Sequence, residues 1–182
     1  GALIFDWDTR DVALVALPTI GLPAALATWG TSPLRGDLSV EAARDVLSEP
    51  SSDRVIAGAL TIAAIRASGP PCRLIAVARY AHQEAAARRL GADVVIGGGR
   101  SMRSDLAREL GVELHETEIG PPTSLGGADV TFDCIASGRT LDDAMRFTRA
   151  RGAVIVVGMP GVPDGVDWTA MWHKELDVRG SY

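Results

Sequence analysis

The chain has 182 residues, 47% of them hydrophobic, which is enough for one packed domain with a small addition. Its formal net charge of -5 argues against non-specific binding to nucleic acid, and no apolar run is long enough to span a bilayer. Two cysteines, Cys72 and Cys134, do not make a disulfide framework, so we expect a reducing, cytoplasmic location.

The first third of the chain carries weaker patterns than the rest. Two apolar runs, 2–5 and 12–17, flank polar turn residues, and this arrangement favours a β-hairpin. We therefore assign residues 1–36 to a small β-rich N-terminal extension. Residues 37–52 are predicted to form a connecting helix, for which Ser39 is suited as the N-cap.

Strands and helices alternate from Asp53 onward. Runs such as 74–78 and 154–157 are apolar without polar alternation, which is typical of strands buried on both faces of a parallel sheet. The predicted strands are 55–57, 73–78, 93–96, 129–134, 153–158 and 176–180, and the predicted helices are 59–68, 82–90, 102–110, 139–149 and 169–175. This alternation predicts an α/β fold in residues 53–182, with a doubly wound parallel sheet of the Rossmann type.

The opening of this unit departs from the usual dinucleotide-binding pattern. That pattern places G-x-G-x-x-G between the first strand and its helix, where the pyrophosphate lies against bare backbone. Here residues 53–69 have the sequence DRVIAGALTIAAIRASG, and Gly58 is the only glycine between Arg54 and Ser68. Gly58 is therefore either the surviving glycine of a phosphate turn or part of a tight turn that binds nothing.

Arg79 and Tyr80 follow the second predicted strand and are candidate cofactor-binding residues. An acid near this position commonly binds the adenosine ribose of NAD, whereas an arginine accommodates the 2′-phosphate of NADP. Ala78 occupies the acid position, so NADP is favoured over NAD if either binds. The alternative is that Arg79 is simply a surface arginine at the end of a strand.

Three later segments resemble the medium-chain dehydrogenase/reductase family, the zinc alcohol dehydrogenase group. Residues 69–96, with the sequence GPPCRLIAVARYAHQEAAARRLGADVVI, are similar to its second strand, the following helix and the third strand. Residues 127–160 are similar to its fourth and fifth strands, and 166–182 to the run into its sixth strand. A weaker similarity links 2–18 to the N-terminal hairpin of the family. The resemblance implies hydride transfer between a nicotinamide cofactor and a small alcohol or carbonyl substrate.

Two strand-end segments would pass near the nicotinamide end of the cofactor, according to this resemblance. Their candidate cofactor-binding residues are Cys134, Ile135, Ala136, Gly158 and Met159. The thiol of Cys134 itself is expected to be only a small buried group. Asp133 lies in an apolar strand, so we expect it to have a hydrogen-bonding partner and a structural role.

The zinc ligands of the family have no counterparts in the sequence. The family carries its catalytic barrel between the hairpin and the nucleotide domain, but residues 23–52 contain neither Cys nor His. His82, His115 and His173 all lie in the nucleotide half, and neither cysteine belongs to a C-x-x-C pair. We therefore predict no zinc and assign no catalytic residue.

These departures leave two explanations and two functions open. Either the chain is a shortened relative, or residues of a longer natural chain are missing from the sequence. The first function is an NADP(H)-dependent oxidoreductase; the second is a relative without cofactor chemistry that binds a small molecule or acts as a scaffold. In the resembling family the edge formed by the sixth strand joins two subunits. Because residues 176–180 form such an apolar edge strand, we expect a homodimer.

Overall fold

The computed structural model describes residues 2–5, 56–68, 72–117, 120–158 and 161–181. Its elements in chain order are β1 (Ala2–Phe5), α1 (Ile56–Ser68), β2 (Leu74–Ala78), α2 (Ala81–Arg89), β3 (Val94–Gly97), α3 (Met102–Leu110), β4 (Ala128–Asp133), α4 (Gly138–Phe147), β5 (Thr148–Val156), α5 (Thr169–His173) and β6 (Asp177–Gly180). No helix among the described residues is long and apolar enough to cross a membrane.

The six strands form one parallel sheet in the order β3-β2-β1-β4-β5-β6. This is the strand order of a dinucleotide-binding, doubly wound α/β fold, and it confirms the predicted fold class. The winding direction reverses between β1 and β4, which are neighbours in the sheet. Phe5 of β1 lies opposite Asp133 of β4 at the carboxyl end of this pair.

Helices cover both faces of the sheet, as the uniformly apolar strands predict. All five residues of β2 are buried. Leu74 and Ala76 belong to an apolar cluster that includes residues of α1 and α2, while Ile75 and Val77 belong to a second cluster with residues of α3 and α4. Successive side chains of a strand point to opposite faces, so β2 contributes to both cores at once.

The predicted first strand of the sheet is wrong. Residues 56 and 57 are helical, as part of α1, and the strand that pairs with β2 and β4 is instead β1. A short apolar run such as 55–57 fits a buried strand and the first turn of a buried helix equally well. The run at residues 2–5 was likewise taken for half of a hairpin, although the structure places it at the centre of the parallel sheet.

This change moves residues 2–5 out of the predicted N-terminal extension and into the nucleotide-binding sheet. The partner predicted for them in a hairpin, residues 12–17, lies outside the described residues. The rest of the extension and the predicted helix in 37–52 lie outside them as well. The division into an extension, a connecting helix and a sheet domain therefore stays a prediction.

Most other element bounds agree with the sequence to within two residues, but β5 begins five residues before the predicted strand. Thr148 lies opposite Ala128, and the regular register resumes only where Ala153 lies opposite Val130. Between these pairs the strand bulges, and Arg151 has a φ of 57°. Because the bulge carries the polar sequence RARG, periodicity alone predicts only the apolar part that follows it.

Candidate functional site

The carboxyl ends of β1 and β4 lie side by side at the point where the winding of the sheet reverses. In open α/β sheets, ligands bind in the crevice at this point. The loop from β4 to α4 borders the crevice on one side, and the turn from β2 to α2 lies on the other side of β1. The described candidate residues other than Gly58 lie in these two connections and at the end of β5.

Asp133 ends β4 and organises the loop that leads to α4. Its side chain is fully buried, and Oδ1 accepts hydrogen bonds from the backbone N–H groups of Ile135, at 3.0 Å, and Ala136, at 2.9 Å. Ala136 has a φ of 59°, in the left-handed region that disfavours residues other than glycine. The expected hydrogen-bonding partner of Asp133 is confirmed, and two of its bonds hold a strained turn.

The other oxygen of the same carboxyl group, Oδ2, is buried without a hydrogen-bond partner among the described residues. Burial is the largest influence on this group and raises the pKa of Asp133, although the hydrogen bonds from Ala136 and Ile135 act in the opposite direction. The crevice is therefore bordered by a carboxyl group in a poorly solvated environment.

Gly158, at the end of β5, packs directly on the β4–α4 loop. A Cβ atom on Gly158 would lie 2.5 Å from the carbonyl carbon of Ile135 and 2.8 Å from that of Cys134. Only glycine allows the two backbones to approach so closely. Three predicted cofactor-binding residues, Cys134, Ile135 and Gly158, are thus in one place, with Ala136 next in the chain. Met159 lies outside the described residues.

The Cys134 side chain faces a helix. It is buried, and its sulfur lies 3.5 Å from the hydroxyl oxygen of Thr61 on α1. Cys134 also belongs to the apolar cluster between the sheet and α1. The expectation that this thiol is a small buried group is therefore confirmed, and Cys134 can contribute to the crevice only through its backbone.

Arg79 and Tyr80 form the turn between β2 and α2. The guanidinium carbon of Arg79 lies 5.6 Å from the centre of the Tyr80 ring, and the rings of Tyr80 and His82 stack with centroids 5.7 Å apart. Arg79 is exposed. The turn therefore presents a cation beside two stacked rings, a combination suited to a phosphate group and a flat base.

Gln83 stabilises this turn through its side chain, and the sequence analysis did not predict this role. It is 1% exposed, and its Oε1 accepts hydrogen bonds from the backbone N–H groups of Arg79 and Tyr80, both at 3.1 Å. A glutamine three residues after the residue that precedes a helix is the spacing of a capping box. This spacing could have identified Gln83 from the sequence.

Gly58 does not lie at a strand-to-helix turn. It is the third residue of α1 and is buried. Because it is one of the first four residues of the helix, its N–H has no acceptor within the helix, so Gly58 can contribute to a phosphate site only as part of the N-terminus of α1 and not as the turn that was predicted. The connection from β1 to α1, where such a turn belongs in a Rossmann sheet, lies outside the described residues.

The described residues contain no group of three or more His, Cys, Asp or Glu side chains that could hold a metal ion. His115 pairs through its backbone with Thr123 in an isolated antiparallel bridge, and His173 Nδ1 lies 2.8 Å from the carbonyl oxygen of Thr169. This part of the chain does not fit a zinc ion, and we derive no step through one.

Comparison with known proteins agrees with this geometry. A family model described as zinc-binding dehydrogenase matches residues 57–182. The chain belongs to this family. Among its relatives, L-idonate 5-dehydrogenase of Vitis vinifera is 32% identical over 125 residues, and sorbitol dehydrogenase of Arabidopsis thaliana is 28% identical over 150 residues.

Solved structures of dehydrogenases share the fold. The D-arabinose dehydrogenase of Sulfolobus solfataricus superposes with a TM-score of 0.56 at 21% identity and covers 87% of the chain. The 2R,3R-butanediol dehydrogenase of Bacillus subtilis superposes with a TM-score of 0.55 at 22% identity over 69% of the chain. The matches cover 46% and 32% of those two proteins, respectively.

The chain is also much shorter than its curated relatives. The matched region covers 32% of the Vitis vinifera enzyme, corresponding to 69% of this chain. It covers 39% of the Arabidopsis thaliana enzyme, corresponding to 80% of this chain.

Proposed function

We propose that the protein is an NADP(H)-dependent oxidoreductase that transfers hydride to or from a small alcohol or carbonyl substrate. The observation that best supports this proposal is the crevice between β1 and β4. The hydrogen-bonded β4–α4 loop lies on one side of it, and the β2–α2 turn, which carries Arg79, lies on the other. The cofactor, when bound, supplies the hydride acceptor or donor. The residues of the chain bind and orient it.

The turn from β2 to α2 supports a preference for NADP. Ala78 offers no carboxylate to the ribose hydroxyls, and Arg79, an exposed residue at the end of β2, carries a guanidinium of the kind that accommodates a 2′-phosphate. Gln83 holds the backbone from which this guanidinium extends. A short-chain alcohol dehydrogenase from Escherichia coli CFT073 was solved with NADH, so NADH is the cofactor to compare.

The β4–α4 loop and Gly158 are proposed to border the nicotinamide, in agreement with the position of the crevice. The curated relatives, which are named as an L-idonate 5-dehydrogenase and a sorbitol dehydrogenase, support a proposal for the substrate class. We therefore propose a polyol or a related secondary alcohol as the substrate. No described residue is positioned to polarise the substrate oxygen, and none is assigned that role.

The first experiment is to measure the dissociation constants of NADPH and NADH for the wild type and for Arg79→Gln. We expect tighter binding of NADPH to the wild type. Loss of a charge-assisted contact worth about 1.5–3 kcal/mol should weaken NADPH binding roughly tenfold to a hundredfold in the variant. NADH binding should change little. Arg108→Gln, an exposed arginine on α3, is the matched control.

Equal affinities of the wild type for NADPH and NADH, unchanged in Arg79→Gln, would contradict the proposed preference. A protein that binds neither nucleotide would instead favour the second function, a relative without cofactor chemistry. One observation from the sequence favours that alternative: Gly58 is the only glycine between Arg54 and Ser68, where the dinucleotide-binding pattern has three.

We also propose that the protein works in a reducing compartment. Neither Cys72 nor Cys134 forms a disulfide, and Cys134 is buried. When the cells are lysed and the protein is unfolded in the presence of an alkylating reagent, mass spectrometry should find both thiols alkylated. An oxidised or cross-linked cysteine in that sample would contradict the proposal.

A further inference from the structure

The geometry points to Asp133 as the positioning residue of the nicotinamide end of the crevice, acting through the backbone of residues 134–136 and 158. This inference rests on the proposed function, because it requires a nicotinamide nucleotide as the ligand. Asp133 itself makes no contact with the cofactor in this arrangement. It sets the place of the backbone that does.

Four backbone N–H groups from two different loops converge on Asp133. Its side-chain Oδ1 accepts from Ile135 and Ala136 in the β4–α4 loop. Its main-chain oxygen accepts from Val157, at 2.9 Å, and from Gly158, at 3.0 Å, after β5. A single residue therefore ties together the two segments that are proposed to border the nicotinamide.

The two segments are also in direct contact, so neither can move alone. Gly158 lies so close to Ile135 that a Cβ atom would come within 2.7 Å of the Ile135 carbonyl oxygen. The left-handed φ of Ala136 is unfavourable without support, and the hydrogen bond from Ala136 to Asp133 supplies that support. Loss of the carboxyl group should let residues 135 and 136 relax, and Gly158 should shift with them.

The surroundings of Asp133 argue against a purely structural role. A buried carboxyl oxygen without a partner costs free energy, and Oδ2 is such an atom among the described residues. The residue also stands opposite Phe5 and Val156, at the carboxyl ends of the neighbouring strands where a ligand of this sheet lies.

The test compares NADPH with 2′-phospho-ADP-ribose, which lacks only the nicotinamide. We expect Asp133→Ala to weaken NADPH binding about tenfold, because the two hydrogen bonds that hold the loop are lost. Binding of 2′-phospho-ADP-ribose should stay unchanged. Asp133→Asn keeps an acceptor oxygen and should restore most of the NADPH affinity. Asp133→Leu fills a similar volume without an acceptor, and it takes the place of the alanine variant if that variant does not fold.

Asp143→Ala is the matched control. Asp143 is a buried acid on α4, 1% exposed, that pairs with Arg103 at 2.7 Å and bonds to neither loop. Asp143→Ala should lower the stability of the fold, but it should not change the affinity for NADPH relative to the affinity for 2′-phospho-ADP-ribose. If the Asp133 variant without an acceptor weakens the binding of both ligands equally, or of neither, the inference is overturned while the proposed function stands. A wild type that binds neither ligand overturns the proposed function and the inference with it.

Discussion

Lys174 is fully buried at the carboxyl end of α4. Its ammonium donates hydrogen bonds to the backbone carbonyl oxygens of Met145, at 3.2 Å, Arg146, at 2.6 Å, and Thr148. The last carbonyls of a helix lack partners within the helix and carry partial negative charge. Lys174 therefore caps α4 from a position more than twenty residues further along the chain.

The same burial makes stability depend on pH. Desolvation, together with the positive charge of Arg146, lowers the pKa of Lys174 from 10.5 to about 8. Between these two values the unfolded chain binds the proton that the folded chain has lost, so this group makes stability rise with pH. Below that window both states are charged, and the desolvation cost is present in full.

Lys174→Met should remove this contribution. We expect the variant to lose about 1–3 kcal/mol at neutral pH, because the carbonyl oxygens at the end of α4 lose their donor. The difference in free energy of unfolding between wild type and variant should grow as the pH rises from about 8 to 10.5. Urea unfolding of both proteins at several pH values measures it. Parallel pH curves would contradict the assignment to Lys174.

Gly158→Ala should be strongly destabilising. The added methyl group would lie 2.5 Å from the Ile135 carbonyl carbon, and overpacking of this kind costs typically about 1–3 kcal/mol. Gly99→Ala is the control, since a Cβ atom there meets nothing within 4 Å. Denaturant midpoints of the two variants measure the contrast. Equal midpoints would mean that the β5 end moves away from the β4–α4 loop at little cost.

At the scale of elements, Arg146 connects α4 to two loops. It is 2% exposed and donates to Asp142 at 2.9 Å, to Asp167 at 2.8 Å and to the carbonyl oxygen of Pro121 at 2.6 Å. Gly120 borders the same network, because a Cβ atom on it would lie 2.9 Å from Asp167 Oδ2. The network fixes the position of α4 and of the loop before α5.

Arg146→Leu should cost about 3–5 kcal/mol, because it leaves the buried carboxylate of Asp142 without its main partner. Arg139→Leu on the same helix should change stability by less than about 0.5 kcal/mol, as expected for a surface site. Arg139 is 72% exposed and lies 4.0 Å from Asp143. Thermal unfolding of both variants gives the comparison. Similar losses in the two variants would show that the network does not hold the helix.

The elements that the sequence predicted well are those with an unambiguous pattern. The apolar run of β2 and the bounds of α3 follow from periodicity, and α3 spans the predicted residues 102–110. The place of β1 could not be predicted this way, because its partners lie far along the chain. A four-residue apolar run carries no information about which strands it will join.

The location of the candidate site could be predicted from the sequence, but most of the contacts that hold its loops in place could not. The carboxyl ends of parallel strands identify residues such as Arg79 and Ile135 from the chain alone. The tie between Asp133 and Gly158 depends on the approach of two loops after β4 and β5, a distance that no spacing encodes. Gln83 was within reach, because its capping-box spacing is local.

At the scale of the whole molecule, β6 forms an edge of the sheet and pairs, among the described strands, with β5 alone. The N–H of Ser181 donates to the carbonyl oxygen of Val156. Because N–H directions alternate along a strand, the N–H of Arg179 also points toward β5, and the N–H of Val178 points away from β5. An outward N–H of this kind can pair with a strand of a second copy, and we propose a homodimer through this edge.

Val178→Pro should disrupt this dimer without breaking the sheet, because proline removes only the outward N–H. We expect the wild type to sediment at twice the monomer mass of 19.1 kDa and the variant at the monomer mass. A Thr169→Ala variant, changed on α5 away from the strand, should remain a dimer. A wild type found only as monomer would contradict the proposal.

The central place of β1 also shapes how the chain must fold. In the described part of the chain, β1 alone joins the pair β3-β2 to the trio β4-β5-β6 within the sheet, since Ala2 lies opposite both Leu74 and Val130. Because β1 precedes both β2 and β4 in the chain, it leaves the ribosome during synthesis before either of these partner strands. It contributes contacts of high sequence separation, and such contacts slow folding because a long segment must be ordered first. We expect assembly of the sheet to end, not begin, with its middle strand.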